Sequence, residues 1–169
     1  MSQQDVNKQG TFKDGQWDVA RLRFLVDFMK AAGVTTGRVA ELMGLTRQAV
    51  YHWFVKDDMK MSQVYKLFEL CGYRIVFEME GESLQNALPV SVSMSVICPE
   101  GTQRLAFLKT AFDRYNVSKE SLAEKLNVGK ATLYNWLKSD DCFLSYIYAI
   151  AVAEGWRLAI RIEPSAQQS

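Results

Sequence analysis

A chain of 169 residues that is 49% hydrophobic and 23% charged has an ordinary globular composition, with room for one large domain or two small ones. Its formal net charge of +1 excludes the strong basicity of a nonspecific nucleic-acid coat. No apolar run reaches the roughly 18 residues of a membrane-spanning helix. The polar start MSQQDVNKQGTFKDGQ is unlike a secretion signal, so a cytoplasmic location is expected.

In chain order, residues 1–18 read as a polar arm. Leu22, Leu25, Phe28 and Met29 form a helical stripe near 19–32 that Gly33 ends. Val39, Leu42 and Met43 mark a short second helix stopping at Gly44. Thr46 is placed to cap a third, from Arg47 to about Val55, with Val50 and Trp53 facing inward. Met61, Val64, Tyr65 and Phe68 predict a fourth helix closed by Gly72. YRIVFEME then alternates apolar and polar residues as a half-buried strand does, ending a unit at residue 80.

Residues 81–103 form a linker in which GESLQNAL is loop-like and PVSVSMSVI predicts a strand at 89–97, with Pro89 at its start. The plan then recurs over 104–163. Leu105, Leu108 and Phe112 mark the first helix, Leu122 and Leu126 the second, Leu133 and Trp136 the third, and Ile147 and Ile150 the fourth. WRLAIRIE is the closing strand, and 164–169 is a tail.

This recurrence is a duplication. A shift of 83 residues aligns 21–80 with 104–163 without a gap, and 16 of the 60 pairs are identical. Arg21-Leu22-x-Phe24-Leu25 matches Arg104-Leu105-x-Phe107-Leu108, Tyr51-x-Trp53 matches Tyr134-x-Trp136, and Asp57-Asp58 matches Asp140-Asp141. Each unit carries nine Lys/Arg against seven Asp/Glu. Units of about 60 to 80 residues lie near the lower size limit for independent folding, so a shared interface is expected. The fold class is therefore mostly α with a small β component: two four-helix units, each followed by a strand, arranged as a pseudo-two-fold pair.

VAELMGLTRQAVYHWF resembles the helix-turn-helix of lambda-repressor/Cro-like (XRE-type) proteins, through Ala40, Gly44, Thr46, Val50 and Trp53. LAEKLNVGKATLYNWL resembles it through Ala123, Leu133 and Trp136, but with Asn127 at the turn glycine and Gly129 at the capping threonine. Asn is among the few residues that tolerate a left-handed turn, and a glycine cap is weaker than a threonine.

The resemblance implies double-stranded DNA as partner and a regulatory, repressor-like role, nucleoid-associated in a bacterial or phage setting. It places Arg47, Gln48, Tyr51 and His52, and in the second unit Lys130, Ala131, Tyr134 and Asn135, at base edges. Arg pairs with guanine and Gln or Asn with adenine in the major groove. Phosphate contacts fall to Thr35, Thr36, Arg38, Thr46 and Lys56, and to Ser118, Lys119 and Lys138. Because the two reading faces differ, the two half-sites should differ. Terminal strands pair dimers in some Cro-like proteins, so the two strands here are expected to pair within the chain, with 89–97 as a third strand. A homodimer is the alternative.

Competing readings attach to several residues. Arg47 and Lys130 are also explained as solvated helix-start charges, against which their equivalent placement in both units counts. Tyr51 and Tyr134 face either phosphate or the neighbouring helix. Trp53 and Trp136 are read as core. His52 is the sole histidine, which leaves it without partners for metal or catalysis. The aspartate pairs read as capping or turn residues rather than as paired catalytic carboxylates. Cys71, Cys98 and Cys142 read as reduced, buried thiols. No catalytic residue, metal, cofactor, small-molecule ligand or membrane association is expected, and no nucleophile elbow or phosphate loop occurs. Two other functions stay open: a protein-interaction scaffold that keeps the fold without DNA affinity, and the DNA-targeting subunit of a recombination or packaging machine. A continuous positive stripe through Arg47 and Lys130 would favour DNA, and acid there would favour the scaffold.

Overall fold

The computed structural model describes residues 12–13, 16–17, 20–81 and 103–166. Strands β1 (Phe12–Lys13) and β2 (Gln16–Trp17) pair antiparallel. Helices α1 (Arg23–Ala32), α2 (Thr36–Met43), α3 (Arg47–Lys56) and α4 (Met61–Leu70) lead to β3 (Tyr73–Glu80). Helices α5 (Ala106–Arg114), α6 (Lys119–Lys125), α7 (Lys130–Ser139) and α8 (Leu144–Glu154) lead to β4 (Arg157–Pro164). The helix-and-strand plan read from apolar spacing is thus present twice.

Two boundaries differ from expectation. Helix α1 begins at Arg23 rather than near residue 19: Leu22 stands outside helical geometry at φ −90°, ψ 15°, and the Asp57 carboxylate accepts the backbone N–H groups of Arg21 and Leu22 ahead of the helix. Strand β4 runs one residue further than WRLAIRIE, since Tyr73 pairs with Pro164 at the end of the ladder. The strand expected at 89–97 lies outside the described residues, as does Cys98.

Strands β3 and β4 form one antiparallel ribbon. Alternation puts Ile75, Phe77 and Met79 on one face with Leu158 and Ile160, all buried. Phe77 lies opposite Ile160, its own counterpart 83 residues on, so an approximate two-fold axis passes through that pair. Counterparts exchange around it: Arg74 pairs with Glu163, and Arg157 with Glu80. Glu78 and Arg161 are counterparts of opposite charge, and they meet across the axis at 3.0 Å.

The same exchange governs the loops after α3 and α7. The Asp58 carboxylate accepts the backbone N–H and hydroxyl of Ser145 at 2.9 and 2.6 Å, and Asp141 accepts those of Ser62 at 2.9 and 2.7 Å. Each aspartate thereby caps the fourth helix of the other unit. Met61 N–H donates to the Cys142 carbonyl and Leu144 N–H to the Met59 carbonyl, both at 2.9 Å. The Tyr65 hydroxyl donates to the Arg104 carbonyl, and the Tyr148 hydroxyl to the Arg21 carbonyl. Stacking of Phe77 on Phe107, 5.6 Å between centroids, joins the two cores. Capping by the aspartate pairs was expected, but Asp58 and Asp141 cap across the axis rather than within their own unit.

Of the thiols, Cys142 is buried and Cys71 is half-exposed, so the expectation of burial holds for Cys142 alone among the described cysteines. Cys71 sits at the end of α4, where the helix gives way to the Gly72 turn, and only part of it packs against the core. Burial first, then the carboxylates of Asp141, Asp58 and Asp140, push the Cys142 thiol up to about 12. An acid held neutral by the fold favours the folded state until the unfolded thiol ionises, near pH 8.5. Stability is therefore expected to fall by about 1 kcal/mol per pH unit from pH ~9 toward ~12. Urea titrations between pH 8 and 10 should show this slope in the wild type. Cys142→Ala should flatten it, and an unchanged slope in that variant would rule out the thiol as its source.

Candidate nucleic-acid interface

Each unit exposes one helix through a capped turn. In the first, the Thr35 hydroxyl accepts the Arg38 N–H at 3.2 Å to start α2, and Gly44 ends it in the left-handed region at φ 66°. The Thr46 hydroxyl then accepts the Ala49 N–H at 3.1 Å to start α3. Ala40 is buried where α2 meets its neighbours, and Val50 and Trp53 turn α3's inner face into the core. That orientation leaves Arg47, Gln48, Tyr51 and His52 exposed together on the outer face.

The second unit reproduces the geometry with different chemistry. Ser118 caps α6 through the Ser121 N–H at 3.2 Å, and Asn127 takes the left-handed turn at φ 54°. Gly129 begins α7 without a side-chain cap, as its lack of a hydroxyl requires. Leu133 is buried, and Lys130, Ala131, Tyr134 and Asn135 are exposed. Trp136 differs from expectation. It is half-buried, packed on Tyr146 with centroids 4.1 Å apart, whereas Trp53 is buried as expected. Its ring partner Tyr146 stands where the first unit has Gln63.

The flanking polar residues divide. Thr35, Arg38, Thr46, Lys56, Ser118 and Lys138 are exposed, while Thr36 and Lys119 are half-buried. Thr35, Thr46 and Ser118 spend a hydroxyl lone pair on capping and keep the proton to donate. Arg38 is paired with Glu41 at 2.8 Å, an exposed contact of the kind that contributes little and is readily exchanged.

The largest difference between the faces involves two residues that sequence reasoning passed over, Gly37 and its counterpart Glu120. The Arg47 guanidinium lies against Gly37: a Cβ there would stand 3.2 Å from Nε and Nη2. At the same place in the second unit, the Tyr134 hydroxyl donates to the Glu120 carboxylate at 3.1 Å. Glu120's own backbone N–H, the Tyr134 hydroxyl and nearby Lys130 hold that carboxyl below its usual range, and the bond raises the Tyr134 phenol. Tyr51 has no such acid beside it in α2's first turn and is 62% exposed, against 46% for Tyr134. Tyr134 thus meets the neighbouring helix through its hydroxyl while the residue stays 46% exposed. Among the described residues, no group of three or more His, Cys, Asp or Glu is placed to hold a metal ion, and no helix is long and apolar enough to cross a membrane.

Comparison with known proteins adds one match. Residues 106–160 match the family model of the bacteriophage CI repressor helix-turn-helix domain. The matched segment is the second unit, from α5 into β4, so the departures at Asn127 and Gly129 leave the likeness to a repressor domain intact. No curated protein and no solved structure matches the chain.

Proposed function

We propose that this chain is a sequence-specific duplex-DNA-binding regulator of the repressor type, built as a covalent pseudo-dimer. Its units at 19–80 and 104–163, joined by the linker 81–103, take the place of two identical subunits. The observation that carries this reading is the pair of exposed polar faces on α3 and α7, held about one axis by the shared ribbon and the reciprocal aspartate caps. The likeness of residues 106–160 to a repressor's DNA-binding domain supports it.

Helices so related enter successive major grooves on one side of the duplex when they lie about 34 to 36 Å apart. Arg47, Gln48, Tyr51 and His52 would read one half-site, and Lys130, Ala131 and Asn135 another of different sequence. Thr35, Arg38, Thr46, Lys56, Ser118 and Lys138 would hold the backbone. Since one chain carries both heads, a homodimer is not required to occupy both half-sites. Selection of bound duplexes from a random pool tests this. The expected product is a non-palindromic site, with half-sites about one helical turn apart. Failure to enrich any motif at moderate salt would sink the proposal.

A further inference from the structure

We infer that Glu120 is a specificity-determining residue that makes the second head subordinate to the first, an inference that rests on the DNA-binding reading above. The position is a natural comparison within one molecule. In the first unit the second residue of α2 is Gly37, and its missing side chain leaves the space into which Arg47 folds. The guanidinium therefore stands beside the start of α2, where a phosphate would meet it together with the Thr35 and Thr46 hydroxyls. In the second unit the same position carries Glu120, exposed and ionised, and the Tyr134 hydroxyl ties its carboxylate to the reading face of α7.

A DNA backbone approaching the second head thus meets an anion where the first head offers a cation. Lys130 stands near enough to offset part of that charge. The same bond holds Tyr134 to α6 and withdraws it from base contact. The first head carries the ground affinity. The second contributes only where bases favour Lys130 and Asn135 enough to outweigh the repulsion, so the chain discriminates between sites with equal first half-sites.

The test uses the full chain and the duplex that wild type selects from a random pool, with binding followed by fluorescence anisotropy across a salt series. Glu120→Gln, which removes the charge, and Glu120→Gly, which restores the first unit's residue, should each tighten binding by about 3- to 10-fold at low salt. Their salt dependence should steepen by about one phosphate contact. Gly37→Glu should weaken binding by at least about 10-fold, since it adds the anion and displaces Arg47. Tyr134→Phe keeps the charge and should change affinity by less than about 3-fold. The melting temperature of Glu120→Gln should stay near wild type, because the side chain is exposed, while that of Glu120→Gly should fall by a few degrees, because glycine within α6 is a poor helix former.

If wild type binds and both Glu120 variants match it in affinity and salt slope, the inference is overturned while the DNA reading stands. Weaker binding by Glu120→Gln would also overturn it and would mark the carboxylate as a base contact, such as an acceptor for a cytosine amino group. A wild type that enriches no duplex overturns the DNA reading, and the inference with it.

Discussion

Replacing Asp140 with alanine is expected to cost about 3 to 5 kcal/mol of folding stability, a large share of the roughly 5 to 15 kcal/mol that holds a domain together. The carboxylate is the one buried charged side chain among the described residues, 8% exposed. It accepts the backbone N–H groups of Gln103, Arg104 and Leu105, the last two at 2.6 and 2.8 Å, while the Asp140 carbonyl accepts Arg104 Nε at 2.9 Å. Alanine would leave those N–H groups without partners, and an unsatisfied buried donor costs about 1 to 3 kcal/mol. Asp57→Ala removes the acceptor of only the Arg21 and Leu22 N–H groups in a more exposed setting, so about 2 kcal/mol is expected there. Urea unfolding followed by circular dichroism measures both. A loss below about 1 kcal/mol for Asp140→Ala would show that water replaces the carboxylate without penalty.

The second large effect is on binding. Arg47→Ala/Gln48→Ala is expected to weaken association with the selected duplex by at least about 30-fold, since each side chain is worth about 1 to 3 kcal/mol of base discrimination and 1.4 kcal/mol is tenfold. Both residues are exposed, so the folded state should be unaffected. Arg47 is expected to make the larger share, because it also lies against Gly37 at the start of α2, where the DNA-binding proposal puts a phosphate. Lys130→Ala/Asn135→Ala should cost less than about 10-fold, as a head already opposed by Glu120 has less to lose. Equal losses for the two pairs would mean that the heads share the load evenly. A loss confined to the Lys130/Asn135 pair would reverse their order.

The internal identities and the contacts across the axis coincide closely. Asp57, Asp58, Ser62, Tyr65, Arg74 and Glu80 are each identical to the residue 83 positions on, and each meets the other unit or the start of its own. The Ser62/Ser145 and Tyr65/Tyr148 identities were therefore visible in the sequence as signals for the interface, though spacing alone does not say whom a serine hydroxyl meets. An identical residue in both units satisfies the same contact twice about a two-fold axis, which explains why these polar pairs match, whereas Gly37 and Glu120 make contacts within their own units and differ.

The duplication, the order of helices and strands, the left-handed turns at Gly44 and Asn127, the Thr46 cap and the sets of residues exposed on α3 and α7 were all legible in the sequence, whereas the Thr35 and Ser118 hydroxyls, read there as phosphate contacts, are caps in the structure. Those features are decided within one or two turns of chain, by apolar period, by tolerance of positive φ and by a hydroxyl three residues from the N–H it accepts. Packing between the units set the capping of each fourth helix by Asp58 or Asp141 of the opposite unit, and the burial of Cys142 beside a half-exposed Cys71. Tertiary packing also decided that Trp136 stays half-exposed, and that Arg47 lies over Gly37 while Tyr134 is bound to Glu120. In each of these a side chain chooses among partners distant in sequence or on an adjoining helix, and that choice depends on space and charge supplied by packing rather than by its neighbours along the chain.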